Sequence, residues 1–326
     1  MSDHRSPRPQ AEGTTHPGDG GADGDAARPL RIAPSVPAGG DERDVADRPG
    51  RREGAGDGAS TGSETGSELR AGPDGARPAR RRAVAEIWIV LGVAILPSSL
   101  TAIVQLADRL SREVAIGEQT ATLNPSRADR AVFDALYQLI GIAADLVPVA
   151  LAIWLLWTPP RSGFRRIGLD ASRPGRDVAA GLAIAACIGI PGLGLYLVTR
   201  ALGLTPAITA NGQSLAWWTV VLLLLSALRA ALQEEVVVTA YLSERLHELG
   251  WSTWSVIAAS ALLRGSYHLY QGVGMAVGNV VMGVVFAWWY ARRGRTAPLV
   301  VAHFLLDAVS FVGYAAAVAW WPGLFG

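Results

Sequence analysis

From Val84 onward the chain falls into apolar runs of about 20 residues, the length an α-helix needs to cross roughly 30 Å of hydrocarbon at about 1.5 Å per residue. This feature limits the fold more than any other. Lipid offers the backbone no hydrogen bonds, and a helix satisfies its own within one segment. The runs lie near 84–106, 133–157, 178–199, 215–246, 252–270, 274–291 and 297–319. They predict an all-α fold, a polytopic transmembrane helical bundle of about seven spans, or eight if the last breaks near Gly313. Residues 1–82 are the opposite, rich in Gly, Asp, Arg, Ser, Thr and Pro and nearly free of large apolar side chains. Such a segment buries too little apolar surface to offset the entropy of ordering, so a disordered tail is expected ahead of a membrane domain over 83–326.

Arginine-rich stretches flank alternate spans: "RPARRR" (77–82), "RSGFRRIGLDASRPGR" (161–176) and "RRGR" (292–295). With seven spans all three fall on one side, which the positive-inside bias makes cytoplasmic, together with the tail. No apolar stretch follows Met1, so the first span is expected to serve as its own insertion signal in a multi-pass protein of the plasma membrane. The net charge of +1 gives no sign of nucleic-acid binding; the expected partners are membrane lipids and a membrane-associated peptide or protein. Cys187, the single cysteine, excludes an intrachain disulfide and a cysteine-rich metal site.

Against this background several charges are out of place. Glu234 and Glu235 stand side by side in one span, Arg264 and His268 in the next, and His303 and Asp307 in the last. Each charge within a span costs on the order of 2.5–3.5 kcal/mol, so these groups should face the bundle interior or a wet cavity. They are spread over three helices with one nearby arginine, which favours chemistry over structural pairing. With a turn at Leu249–Gly250, Glu234 and His268 differ in depth by about one helical turn, and Arg264 is nearly level with Glu235. His303 and Asp307, four apart, share a helix face. A carboxylate in a water-poor pocket is suited to take a proton from water. The two histidines could position that water, stabilise an oxyanion, or join a carboxylate in binding a divalent metal such as zinc, with Glu234, His268 and His303 as candidate ligands. Spacing alone leaves the metal open.

Three motifs within 234–307 resemble the CAAX-protease and bacteriocin-processing (CPBP, or Abi) family of intramembrane endopeptidases. "EEVVVTAYL" is similar to Glu-Glu-x-x-x-Arg followed by an aromatic, "RGSYH" to Phe-x-x-x-His, and "HFLLD" to His-x-x-x-Asn/Asp. The resemblance implies a polytopic helical fold with Glu234 as the base that activates water and Glu235 as supporting carboxylate. It also implies His268, His303 and Asp307 as positioning groups and Tyr241 as the motif's aromatic. Two positions depart from the pattern: Thr239 replaces the arginine, and Arg264 replaces the phenylalanine. Arg264 is therefore expected to pair with Glu235 in place of the missing cation. A catalytically inactive relative acting as an immunity, scaffold or regulatory protein is the alternative that Thr239 raises. A proton-coupled transporter would use the same carboxylates, but the inverted repeats it calls for are not seen.

Other polar residues get weaker readings. Pro148 should kink the second span, and Pro191 with its glycines should kink or break the third. Asp145 has no assigned role, and Arg229 could reach either an acidic side chain or a lipid phosphate.

Overall fold

The computed structural model describes residues 73–210, 216–313 and 316. It is mostly helical. The elements run α1 Pro73–Ala94, α2 Leu96–Ser111, β1 Thr120–Leu123, α3 Ala131–Leu155, α4 Gly163–Arg166, α5 Pro174–Ala201, β2 Ala207–Ala210, α6 Trp217–Gln233, a π-helical segment Glu234–Tyr241, α7 Leu242–Glu248, α8 Thr253–Tyr267, α9 Val273–Arg293 and α10 Ala297–Ala308, which continues as a π turn to Gly313.

A helix stands at each predicted span. By length and hydropathy, α3, α5 and α9 suffice to cross a membrane, and α1 with α2 makes a fourth if that pair is one span. The others are shortened in apolar length by the charges noted above: α6 carries Arg229 and runs directly into Glu234 and Glu235. The first predicted span is not straight. It bends by 55° between α1 and α2, where Pro97 lacks an N–H and its ring crowds the carbonyl one turn back. Helix α1 also begins at Pro73, so residues 73–82, predicted to belong to the tail, are helical; the rest of the predicted tail lies outside the described residues. Helix α5 runs through Pro191 without the predicted break. Also unforeseen was a parallel pairing of β1 with β2, with Thr120 opposite Ala207, which ties the loop after α2 to the loop after α5.

The core lies around the π segment, where Val236, Val237, Val238 and Ala240 are fully buried among α1, α3, α8 and α9. Helices α7 and α8 join through Gly250, whose φ of +84° is the left-handed conformation glycine tolerates. Helices α8 and α9 pack closely: a Cβ at Gly265 would stand 2.4 Å from Val280, and one at Gly283 2.8 Å from the Ala261 backbone. Small residues at such crossings let membrane helices approach.

Two of the arginine-rich flanks meet at one end of the bundle. Arg295, beyond α9, pairs with Asp177 at 2.5 Å and Asp170 at 3.2 Å, and Thr296 N–H donates to Ile167 O at 2.9 Å. At the C-terminal end of α3, Arg245 pairs with Glu86 at 2.7 Å and Glu248 at 2.8 Å and donates to Leu155 O, while Arg166 pairs with Glu244 at 3.0 Å and with Glu248.

Candidate active site

The π segment presents the two carboxylates. Its i→i+5 bonding widens the turn, a local irregularity frequent at functional sites. Glu235 is fully buried, whereas the Glu234 side chain keeps 12% of its surface. One guanidinium lies between them. Arg264, itself fully buried on α8, places Nη2 2.6 Å from Glu235 Oε1 and Nη1 3.2 Å from Glu234 Oε2. The pairing of Arg264 with Glu235 expected from the hairpin count is therefore present. Thr239 also takes part: its hydroxyl donates to Glu235 Oε2 at 2.9 Å and lies 3.4 Å from Arg264 Nη2. A threonine is small enough to leave room there for the guanidinium arriving from α8. Gly283 faces the stem of Arg264, where a Cβ would come 3.3 Å from its Cδ, and the guanidinium sits 5.2 Å from the centre of the Phe286 ring.

The remaining motif residues gather at the same place. His303, buried on α10, brings Nδ1 to 2.8 Å from Glu235 Oε1 and Nε2 to 3.6 Å from Asp307 Oδ2. His268, at the C-terminal cap of α8, has Nε2 3.9 Å from Glu234 Oε2, and its buried Nδ1 has no hydrogen-bond partner. Glu234, Glu235, Arg264, His268, His303 and Asp307 thus form one cluster. Tyr241 does not belong to it, contrary to the expectation that it supports the site. Its hydroxyl donates to Glu86 Oε1 at 3.0 Å. In an α-helix seven residues make nearly two turns and would return Tyr241 to the face of Glu234, but the wider π turn directs it towards α1 instead.

Tyr267 is the contributor that the motifs did not point to. Its hydroxyl donates to Glu234 Oε2 at 2.8 Å. The signal was available, since Arg264, Tyr267 and His268 stand at i, i+3 and i+4 and share a helix face. The contacts on Glu234 are one-sided. Tyr267, Arg264 and His268 all converge on Oε2, while among the described residues Oε1 has no hydrogen bond and is not one of the buried unpaired atoms. It is the open oxygen of the cluster.

Residues 216–309 match the family model described as type II CAAX prenyl endopeptidase Rce1-like. This stretch is similar to Rce1-like domains. It holds every residue of the cluster and less than a third of the chain; the helices before α6 lie outside the match. Comparison with individual curated proteins and with solved structures finds no match. Rce1-like proteins are intramembrane proteases at the level of the family.

The same donors bear on whether the site could hold a metal ion. One ligand atom each from Glu234, Glu235 and His303 lies within 4.8 Å of the others, whereas the predicted ligand His268 is outside that group. Three of the four carboxylate oxygens are already engaged, Glu235 Oε1 by Arg264 and His303, Glu235 Oε2 by Thr239 and Glu234 Oε2 by Tyr267, which leaves Glu234 Oε1 open. An ion bound there would displace Arg264 or share its place, setting two cations side by side in a buried space. With one free carboxylate oxygen beside a buried guanidinium, the residues are a poor fit for a metal.

Proposed function

We propose that the protein is an intramembrane endopeptidase that hydrolyses a membrane-associated peptide or protein with water activated by Glu234. The observation that carries this reading is the division of the Glu234 carboxylate into a held oxygen, Oε2, and an open one, Oε1. In the reaction Oε1 takes a proton from water as the water oxygen attacks the substrate carbonyl, and the carbonyl oxygen becomes an oxyanion. The same carboxyl group then gives its proton to the leaving amine as the C–N bond breaks. Arg264 balances the charge of the adjacent carboxylates, while Tyr267 fixes the carboxylate of Glu234. His268 is assigned to the carbonyl oxygen through Nε2, which lies beside Glu234 Oε2 at 3.9 Å, too far for a hydrogen bond, and is not among the buried unpaired atoms. Glu235 and Asp307 hold His303 from its two ring nitrogens.

In this reading seven helical passages cross the plasma membrane, and the arginine-rich flanks and the tail face the cytoplasm. The joining of 161–176 to 292–295 through Arg295 supports placing those two flanks on one side. Thr239, the main argument for a non-catalytic relative, is answered by Arg264 at the same carboxylate.

The test is reconstitution of the full chain with a mixture of membrane-anchored peptides, prenylated CAAX-type peptides included, comparing wild type with Glu234→Gln and His268→Ala. Cleavage by wild type that falls by at least about 100-fold in Glu234→Gln supports the assignment. Equal product from all three proteins would sink it.

A further inference from the structure

A second polar site adjoins the cluster, between the loop leading into α3, α3 itself and α6, with Arg229 near enough to act electrostatically on Asp307. It is a cavity of about 140 Å³ lined by Asn124, Arg127, Gln138, Asp145, Ser226 and Arg229, among others. Polar lining inside a membrane domain is costly and marks a site that takes a partner. The unsatisfied atoms identify the kind of partner. Asn124 Nδ2 and Arg229 Nε are buried and donate to nothing. Among the described residues the Arg127 guanidinium and the Ser226 hydroxyl also make no hydrogen bond; Arg127 contributes its backbone N–H to Asp134, and Gln138 spends its amide on the same carboxylate. Arg229 reaches Gln233 at 3.2 Å, while its nearest carboxylate, Asp145, stands 3.6 Å away and is half exposed. The cavity is therefore rich in unused donors, with two guanidinium groups set against the single carboxylate of Asp145.

We infer that this cavity binds an anionic phosphate group. Two guanidinium groups, an amide and a hydroxyl match the several acceptor oxygens of a phosphate, which arginine contacts with paired hydrogen bonds. Of the two ligands the sequence leaves open for Arg229, an acidic side chain or a lipid phosphate, Asp145 engages the arginine only loosely and leaves its Nε free. A phospholipid headgroup is the source we favour. Helix α3, which forms one wall of the cavity, is apolar and long enough to cross a membrane, so lipid is at hand for the site. Gly141 adds to the fit: it lets the Arg127 guanidinium rest against α3, where a Cβ would meet it at 3.2 Å.

Binding is read by native mass spectrometry of the full-length protein in detergent. The probes are phosphatidylglycerol, a diacylglycerol with the same chains, and inorganic phosphate. Wild type should retain one phosphatidylglycerol, retention should fall at least about tenfold in Arg229→Gln and in Arg127→Gln, and diacylglycerol should not be held. Asp145→Asn removes the competing carboxylate and should raise retention, a gain that misfolding cannot mimic. Displacement of the lipid by inorganic phosphate would support the site and identify free phosphate as its second source. Equal retention in wild type and both arginine variants, or retention of diacylglycerol as strong as that of phosphatidylglycerol, would overturn the inference. None of these outcomes depends on proteolysis, so the site stands or falls separately from the proposed reaction.

Discussion

Two of this protein's clusters of acidic and arginine side chains are built on opposite terms. In the network of Glu86, Arg166, Glu244, Arg245 and Glu248 the charges are partly exposed, and each acid meets an arginine at hydrogen-bonding distance. In the cluster of Glu234, Glu235 and Arg264 the arginine and one glutamate are wholly buried, two acids share one cation, and Arg264 Nε and His268 Nδ1 lack hydrogen-bond partners, as Arg245 Nε alone does in the first network. The first arrangement joins helices. The second bears the cost of burial without completing its own hydrogen bonds, as a site does when its last partner is a substrate.

The largest effect expected from this contrast is on Arg264. Replacing it with Met leaves Glu235 buried without its cation, a loss of about 3–5 kcal/mol that thermal melting in detergent would register. The exchange Arg264→Phe should be equally damaging alone and partly repaired by Thr239→Arg, which moves the cation back to the motif position. A melting temperature unchanged in Arg264→Met would break the contrast at once. Next comes Glu234→Gln, which should abolish hydrolysis while shifting the melting point little, because Tyr267 can still donate to the side-chain oxygen. Thr239→Val removes one hydrogen bond from Glu235 and should cost about 1–3 kcal/mol, the penalty for a buried acceptor losing its donor. The smallest effect belongs to the exposed network: Glu248→Gln should cost no more than about 1 kcal/mol, and the difference from wild type should shrink as salt rises.

How much of this was readable in advance depends on which physical signal was involved. Hydropathy placed the helices, because spans of fixed length repeat along the chain, and counting residues from the Gly250 turn placed Arg264 beside Glu235. The resemblance implied Tyr241 as a supporting aromatic, but the chain is π-helical over Glu234–Tyr241 and its hydroxyl meets Glu86 instead. The pairing of β1 with β2 arises from contacts between segments far apart in sequence, which periodicity does not register, whereas the bend at Ile95 has a local signal in Pro97 that hydropathy alone passes over. Tyr267 was overlooked for a different reason. A tyrosine next to a motif histidine reads as packing until its hydroxyl is seen on Glu234.

The central claim is that the open oxygen of Glu234 activates the water that cleaves the peptide, and its most direct test is cleavage in ¹⁸O-labelled water. The reconstituted wild type and Glu234→Gln would be given the same membrane-anchored peptides, with products read by mass spectrometry. The account predicts a new carboxyl terminus carrying one labelled oxygen in the wild type and at least about 100-fold less product in the variant. Cleavage at the wild-type rate by Glu234→Gln, or every peptide left intact by the wild type, would contradict it.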